Sequence, residues 1–161
     1  MSKHGFETAF RSGRKVNEVQ NKVKTSLGEG RRYLCYEIIC KWGECVYIGQ
    51  TEQRWDERKK QHQDNIRYAR AELDAGTESG RRKAHERMNG NGGGLVKHVV
   101  LNCDKGIEWE SSGPIASVKG WKQRRTRESV ETWKRQMRGK TVLNQCDHLD
   151  QGWKDILEMK L

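Results

Sequence analysis

Proline occurs once in the 161 residues, phenylalanine twice, and apolar residues make up only 33%. No apolar run approaches the length that crosses a bilayer, so a membrane-spanning protein is excluded as the expectation. The first twenty residues lack the apolar stretch of a secretory signal, and a cytoplasmic location is expected. The five cysteines, Cys35, Cys40, Cys45, Cys103 and Cys146, include no Cys-x-x-Cys pair. An odd, unpaired set fits reduced thiols better than a disulfide framework. Cys35, Cys40 and Cys45 lie five apart, and buried thiols acting as small apolar side chains account for them better than zinc does. Acidic residues are also in deficit: 22 against 32 lysines and arginines, for a net charge of +10. Such a surplus says nothing about fold but favours polyanionic partners, nucleic acid first. No strongly amphipathic basic stretch argues for a membrane surface instead.

What is present suits one domain with a modest core, helped by six tryptophans and four tyrosines. Residues 1–32 form a basic N-terminal extension. Within it Val16, Val19, Val23 and Leu27 repeat at helical spacing before Gly28 and Gly30. Residues 33–40 and 45–48 are rich in β-branched and aromatic types around Lys41-Trp42-Gly43, which reads as a hairpin. A helix from about Gln53 to Leu73 follows, with Trp55, Ile66, Ala69 and Leu73 facing inward. Residues 76–80 read as a linker and 81–88 as a short helix. The glycine-rich segment from Asn89 to Gly94 lacks the lysine of a phosphate-binding loop and reads as a mobile connector. Leu95–Leu101 is read as a third strand and Glu108–Glu110 as a short fourth. Residues 119–140 hold nine cations against two glutamates. They suit a helix whose buried stripe is Val130, Trp133 and Met137, and Thr141–Asn144 returns extended. Residues 146–161 form a C-terminal tail packing on the domain through Leu149, Trp153 and Ile156. No internal repeat, helix-turn-helix or zinc finger is present.

The order of chemistry-bearing residues resembles the GIY-YIG nuclease family. The second motif stands as Tyr47-Ile48-Gly49, with ten residues between Tyr36 and Tyr47. Arg58 and His62 follow four apart on one helical face, and Glu131 and Asn144 match the later glutamate and asparagine. The similarity covers residues 33–145. It departs from the family pattern at Leu34-Cys35, where Gly-Ile is usual, and in Arg58, one residue further from Gly49 than is common. It implies a single α/β domain with a small central antiparallel β-sheet flanked by helices. The activity implied is metal-dependent cleavage of DNA, as in the small stand-alone, phage-type members.

On that resemblance Glu131 holds Mg2+ (or Mn2+), which needs few protein carboxylates; Glu128, one turn earlier, is the rival. Arg58 binds the scissile phosphate through planar charge-assisted hydrogen bonds. Tyr36, aided by Tyr47, is the implied general base. A free tyrosine titrates near about 10, so His62 is the physically easier base or relay, and both stay open. Gly49 permits close approach, and Asn144 anchors the site through its amide. Arg54, Lys59, Lys122, Arg124, Arg125, Arg127 and Lys134 are the expected DNA contacts. Trp121 is read as packing rather than stacking on a base. Cleavage of both strands would call for a homodimer or higher homo-oligomer, or for repeated nicking. The readings from other classes are a catalytically silent DNA-binding protein on the same fold and an RNA-directed nuclease.

Overall fold

The computed structural model describes residues 31–144; the expected N-terminal helix and C-terminal tail lie outside them. Strands β1 (Leu34–Cys40) and β2 (Cys45–Thr51) form the hairpin read from the sequence, in the register Tyr36↔Gly49 and Ile38↔Tyr47. β1 is buried almost throughout because it is central, with β3 (Ile107–Ser117) on its other side. The sheet order is β3-β1-β2-β4, where β4 (Thr141–Val142) pairs parallel to β2. The sheet is therefore mixed, not wholly antiparallel. After the helix that precedes it, the chain re-enters beside β2 from the end at which β2 begins, which sets β4 parallel.

β3 corrects the short fourth strand of the sequence reading to eleven residues. Its composition hides this: Ser111, Ser112, Gly113 and Pro114 resemble a turn. Two register shifts absorb them, with Ser112 Oγ accepting the Ile39 N–H at 2.9 Å and donating to the Glu108 carbonyl at 2.6 Å. Pro114 is tolerated because β3 is an edge strand and needs no outward donor.

Helix α1 (Trp55–Asp74) carries Asp56 and Glu57 in its first turn, where the helix dipole favours them. It buries His62, Ile66 and Ala69; Trp55 and Leu73, expected inward, are half-buried. Helix α2 spans Glu78–Asn89, so the expected linker over 76–80 is largely its first turn, capped by the Thr77 hydroxyl on Gly80 N–H. Arg87 grips Glu72 at 3.0–3.2 Å and fastens α2 to α1.

The largest correction concerns 95–101. The segment is helical, α3 (Gly93–Lys97) running into a π-helical turn (His98–Asn102). Leu95, Val96 and Val99 are its buried residues, and that spacing is a helical face. β-Branched composition suggested a strand, but a short apolar run does not distinguish the two. The core on this face of the sheet comprises Tyr36, Ile38, Tyr47, Ile66, Ala69, Leu95, Val96, Val99 and Ile107. Each such aliphatic side chain contributes about 1.5–3 kcal/mol by leaving water.

Helix α4 (Trp121–Met137) covers the opposite face. Its buried side chains are Arg124, Glu128, Ser129, Glu131, Thr132 and Trp133, while Met137 is exposed. The expected apolar stripe is thus replaced by a mostly polar one, satisfied by ion pairs across the sheet. Arg135 binds both Glu37 and Glu131 at 2.8 Å.

Candidate active site

Two elements meet at one phenol oxygen. Tyr36 on β1 is fully buried, and its hydroxyl lies 2.9 Å from His62 Nε2 and 3.0 Å from Arg58 Nε, both on α1. Tyr47, on β2, adjoins the cluster, its ring centroid 6.3 Å from that of Tyr36 and 5.5 Å from that of His62. A tyrosine hydroxyl has one proton to give and two lone pairs. Arg58 donates to that oxygen, so the Tyr36 proton is directed to a neutral His62 Nε2, with the His62 ring proton on Nδ1.

Electrostatics agree with that assignment. Burial, reinforced by the Arg58 cation, lowers His62 to about 3, so it is neutral and able to accept. Burial raises Tyr36; the Arg58 charge opposes this without reversing it. Tyr47 is raised too, by burial first and then by Tyr36. Neither phenol is ionised at neutral pH. His62 is the acceptor to which Tyr36 can pass its proton, and the same burial and Arg58 charge that keep it neutral oppose the transfer.

Gly49 makes the cluster possible. It stands opposite Tyr36, and a Cβ there would lie 2.5 Å from the Tyr36 hydroxyl oxygen and 2.8 Å from Tyr47 Cε1. No side chain fits. Trp55 closes the other flank, with ring centroids 5.2 Å from Tyr36.

The sequence reading missed the cover. The segment from Asn89 to Gly94 is not a mere connector: Gly92, at φ +83°, lies against His62, where a Cβ would come within 2.9 Å of Cε1. The residue beside it, Asn91, accepts from Arg58 Nη2 at 3.5 Å, and Gln61 accepts from Nη1 at 3.0 Å. A run of glycines signals conformational freedom, but only the fold reveals what that freedom is used for.

The carboxylates divide differently from expectation. Both Glu131 oxygens are occupied: Oε1 by Arg127 at 3.1 Å and Lys134 at 3.3 Å, Oε2 by Arg135 at 2.8 Å. Through Arg135 it is tied to Glu37, whose side chain points away from Tyr36 on the alternating strand. A divalent cation at Glu131 would have to compete with three protein cations. Glu128 is also buried, but it rests on the Gln50 side chain, and its charge reaches both Tyr36 and Tyr47. Burial raises its carboxyl, with Gln50 and Arg125 opposing. Glu131 is thus committed to three protein cations, whereas Glu128 has Arg125 acting on it and is not gripped in that way.

Asn144 sits just beyond β4. Its Oδ1 accepts the Ile48 N–H at 3.3 Å and its Nδ2 donates to Thr132 Oγ1 at 3.1 Å. It ties β2 to α4 and thereby holds the hairpin against the carboxylate helix.

Among the expected DNA contacts, Arg124 is a correction. It is fully buried, donating to the Val118 and Lys119 carbonyls and pairing with Glu52. Arg127 and Lys134 are engaged with Glu131. Lys122 is exposed, and Arg125 lies over the Trp121 ring at 5.4 Å. Trp121 itself is exposed rather than packed. At the N-cap of α1, Arg54 pairs with Asp56 at 3.2 Å, and within the helix Lys59 stands 5.9 Å above the Trp109 ring.

No family model matches the chain, and neither a curated protein nor a solved structure matches it. Among the described residues, no helix is long and apolar enough to cross a membrane.

Proposed function

We propose that this protein is a metal-dependent DNA endonuclease of the GIY-YIG type. The observation that carries the reading is the convergence of Arg58 and His62 on the buried Tyr36 phenol oxygen, with the Tyr47 ring beside it and Gly49 leaving room for it. A surface ion pair or an ordinary strand tyrosine requires no such arrangement.

Arg58 is the phosphate-binding group. Tyr36 holds its Nε, which leaves the outer guanidinium edge towards solvent. Its contact to Asn91, the longest it makes at 3.5 Å, is the one a phosphate oxygen displaces. Charge-assisted bonds from a planar donor orient the phosphodiester and stabilise charge growing on its oxygens. Tyr36 takes a proton from the attacking water as it passes its own to His62 Nε2, a relay in which the charge ends on an imidazolium that burial and Arg58 oppose. Glu128, with Gln50 beside it, is the group that would hold Mg2+ or Mn2+; such an ion supplies Lewis-acid stabilisation of the phosphate and leaving oxygens. Lys122, Arg125 and Trp121 form the adjoining cationic and aromatic surface, suited to backbone phosphates and stacked bases.

The test is nicking of supercoiled plasmid with magnesium. Activity should vanish with chelator and in Arg58→Ala, and fall at least about a hundredfold in Glu128→Gln. Glu131→Gln should retain activity in proportion to its folded fraction. Intact plasmid across several divalent metals would leave a silent DNA-binding protein. Preference for RNA at matched salt would redirect the reading to an RNA-directed nuclease.

A further inference from the structure

At the opposite end of β1 from Leu34, three side chains from separate segments meet. Cys40 Sγ, on the last residue of β1, lies 3.2 Å from Cys103 Sγ, and His98 Nε2 lies 3.4 Å from Cys40 Sγ. Both sulfurs are buried and the imidazole is half-buried. The three ligand atoms all fall within 4.8 Å of one another. The π-helical turn explains how: it begins at His98 and delivers the chain directly to Cys103. Cys45 adjoins the set. It follows on from Ile39↔Val46 in the hairpin register, opposite Cys40, with its sulfur outside the cluster of three.

We infer that Cys40, His98 and Cys103 form a binding site for a soft divalent transition metal, zinc above all, completed by Cys45 as fourth ligand. A tetrahedron built on zinc–sulfur bonds of about 2.3 Å and zinc–nitrogen bonds of about 2.0–2.1 Å has edges of roughly 3.6–3.8 Å. The observed separations of 3.2 and 3.4 Å are a few tenths shorter, so slight spreading of the ligands admits the ion. Thiolate and imidazole donors select zinc-class ions over magnesium. Each thiol loses its proton to solvent as it binds. Cys35 is not part of the site, since it points to the other face of the sheet, beside α4. Tyr36 and Cys40 are four residues apart on β1, about 13 Å along a strand, so this centre is separate from the phenol cluster and takes a different class of ion. It would clamp the hairpin tip, the π-helical turn and the chain entering β3, three segments that the sheet hydrogen bonds alone join loosely.

The experiment is cobalt titration of the full chain kept reduced by a phosphine. One ion per chain should bind with thiolate-to-cobalt charge-transfer absorption and tetrahedral ligand-field bands, and zinc should displace it. Cys103→Ser and His98→Asn should each weaken binding by on the order of a hundredfold, Cys45→Ser by less, and Cys35→Ser not at all. Should the first two variants not fold, alkylation of the wild-type chain decides: zinc should shield Cys40 and Cys103, and chelator should unshield them. Absence of the charge-transfer band, its persistence in Cys103→Ser, or a Cys40–Cys103 disulfide that survives the phosphine would overturn the site. None of these readouts depends on DNA cleavage.

Discussion

Gly49→Ala is the sharpest perturbation of this molecule. The new Cβ would sit 2.5 Å from the Tyr36 hydroxyl oxygen, 2.6 Å from its Cζ and 2.8 Å from Tyr47 Cε1. All three belong to rigid rings, not to the ends of flexible chains. The Tyr36 ring cannot step aside cheaply: it is fully buried, flanked by Trp55, and bonded to Arg58 and His62. Overpacking of this kind costs about 1–3 kcal/mol. If the ring swings far enough to break its Arg58 bond, about 1.5–3 kcal/mol more is lost, as is usual for hydrogen bonds to charged groups. For a chain of this size each kcal/mol lowers Tm by about 2–4 °C, so overpacking alone gives a fall of roughly 2–12 °C. Thermal unfolding measures this, with Gly113→Ala as the control. Nothing lies within 4 Å of the Cβ that control would add, so it should leave Tm nearly unchanged. Plasmid nicking should be lost in Gly49→Ala even at temperatures where it is folded, because the Arg58 edge moves with the phenol. A Gly49→Ala protein as stable and as active as wild type would refute the packing argument and the site together.

The buried histidine predicts a pH signature. The unfolded chain protonates His62 near its ordinary 6.5, whereas the native one resists until about 3. Native stability should therefore fall as pH drops through that window, by about 1.4 kcal/mol per unit from this group, and be unaffected by it above 6.5. The difference in urea stability between wild type and His62→Gln isolates the effect from other groups; a flat difference between pH 6.5 and 4 would count against a buried neutral imidazole. Arg124→Ala should cost about 1.5–3 kcal/mol in stability through its charged hydrogen bonds, yet leave the salt dependence of DNA binding intact. Lys122→Ala, by contrast, should lower the slope of log affinity against log salt by about 0.9 while barely moving Tm; an equal drop in slope for Arg124→Ala would show that the buried side chain reaches DNA after all.

Some of this was determined by local sequence. The hairpin of β1 and β2 follows from a β-branched run, a Lys-Trp-Gly turn and a second run. The four-residue step from Arg58 to His62 places both on one face of α1, whatever the rest of the chain does. Those are properties of backbone geometry and nearest neighbours. The 95–101 segment shows the limit: Leu95, Val96 and Val99 satisfy a helical face as well as their β-branched types satisfy a strand. The choice was made by the place left for them against α1 and the sheet. In the same way Ser111–Pro114 reads as a turn until an edge of β1 is available to pair with it.

The site divides along the same line. Tyr36, Tyr47, Gly49, Arg58 and His62 were legible because one short stretch resembles the GIY-YIG motifs; periodicity by itself placed only Arg58 and His62 on one face. Which carboxylate is committed to protein cations was not legible, since the resemblance favoured Glu131 and left Glu128, one turn earlier, as its rival. Only the tertiary structure commits Glu131 to Arg127, Lys134 and Arg135 and turns Glu128 towards Gln50. It likewise withdrew Arg124 from the surface, laid Gly92 on His62, and brought Cys103 and His98 to Cys40. Charge pairing and burial depend on residues distant in sequence, so no local pattern could have decided them.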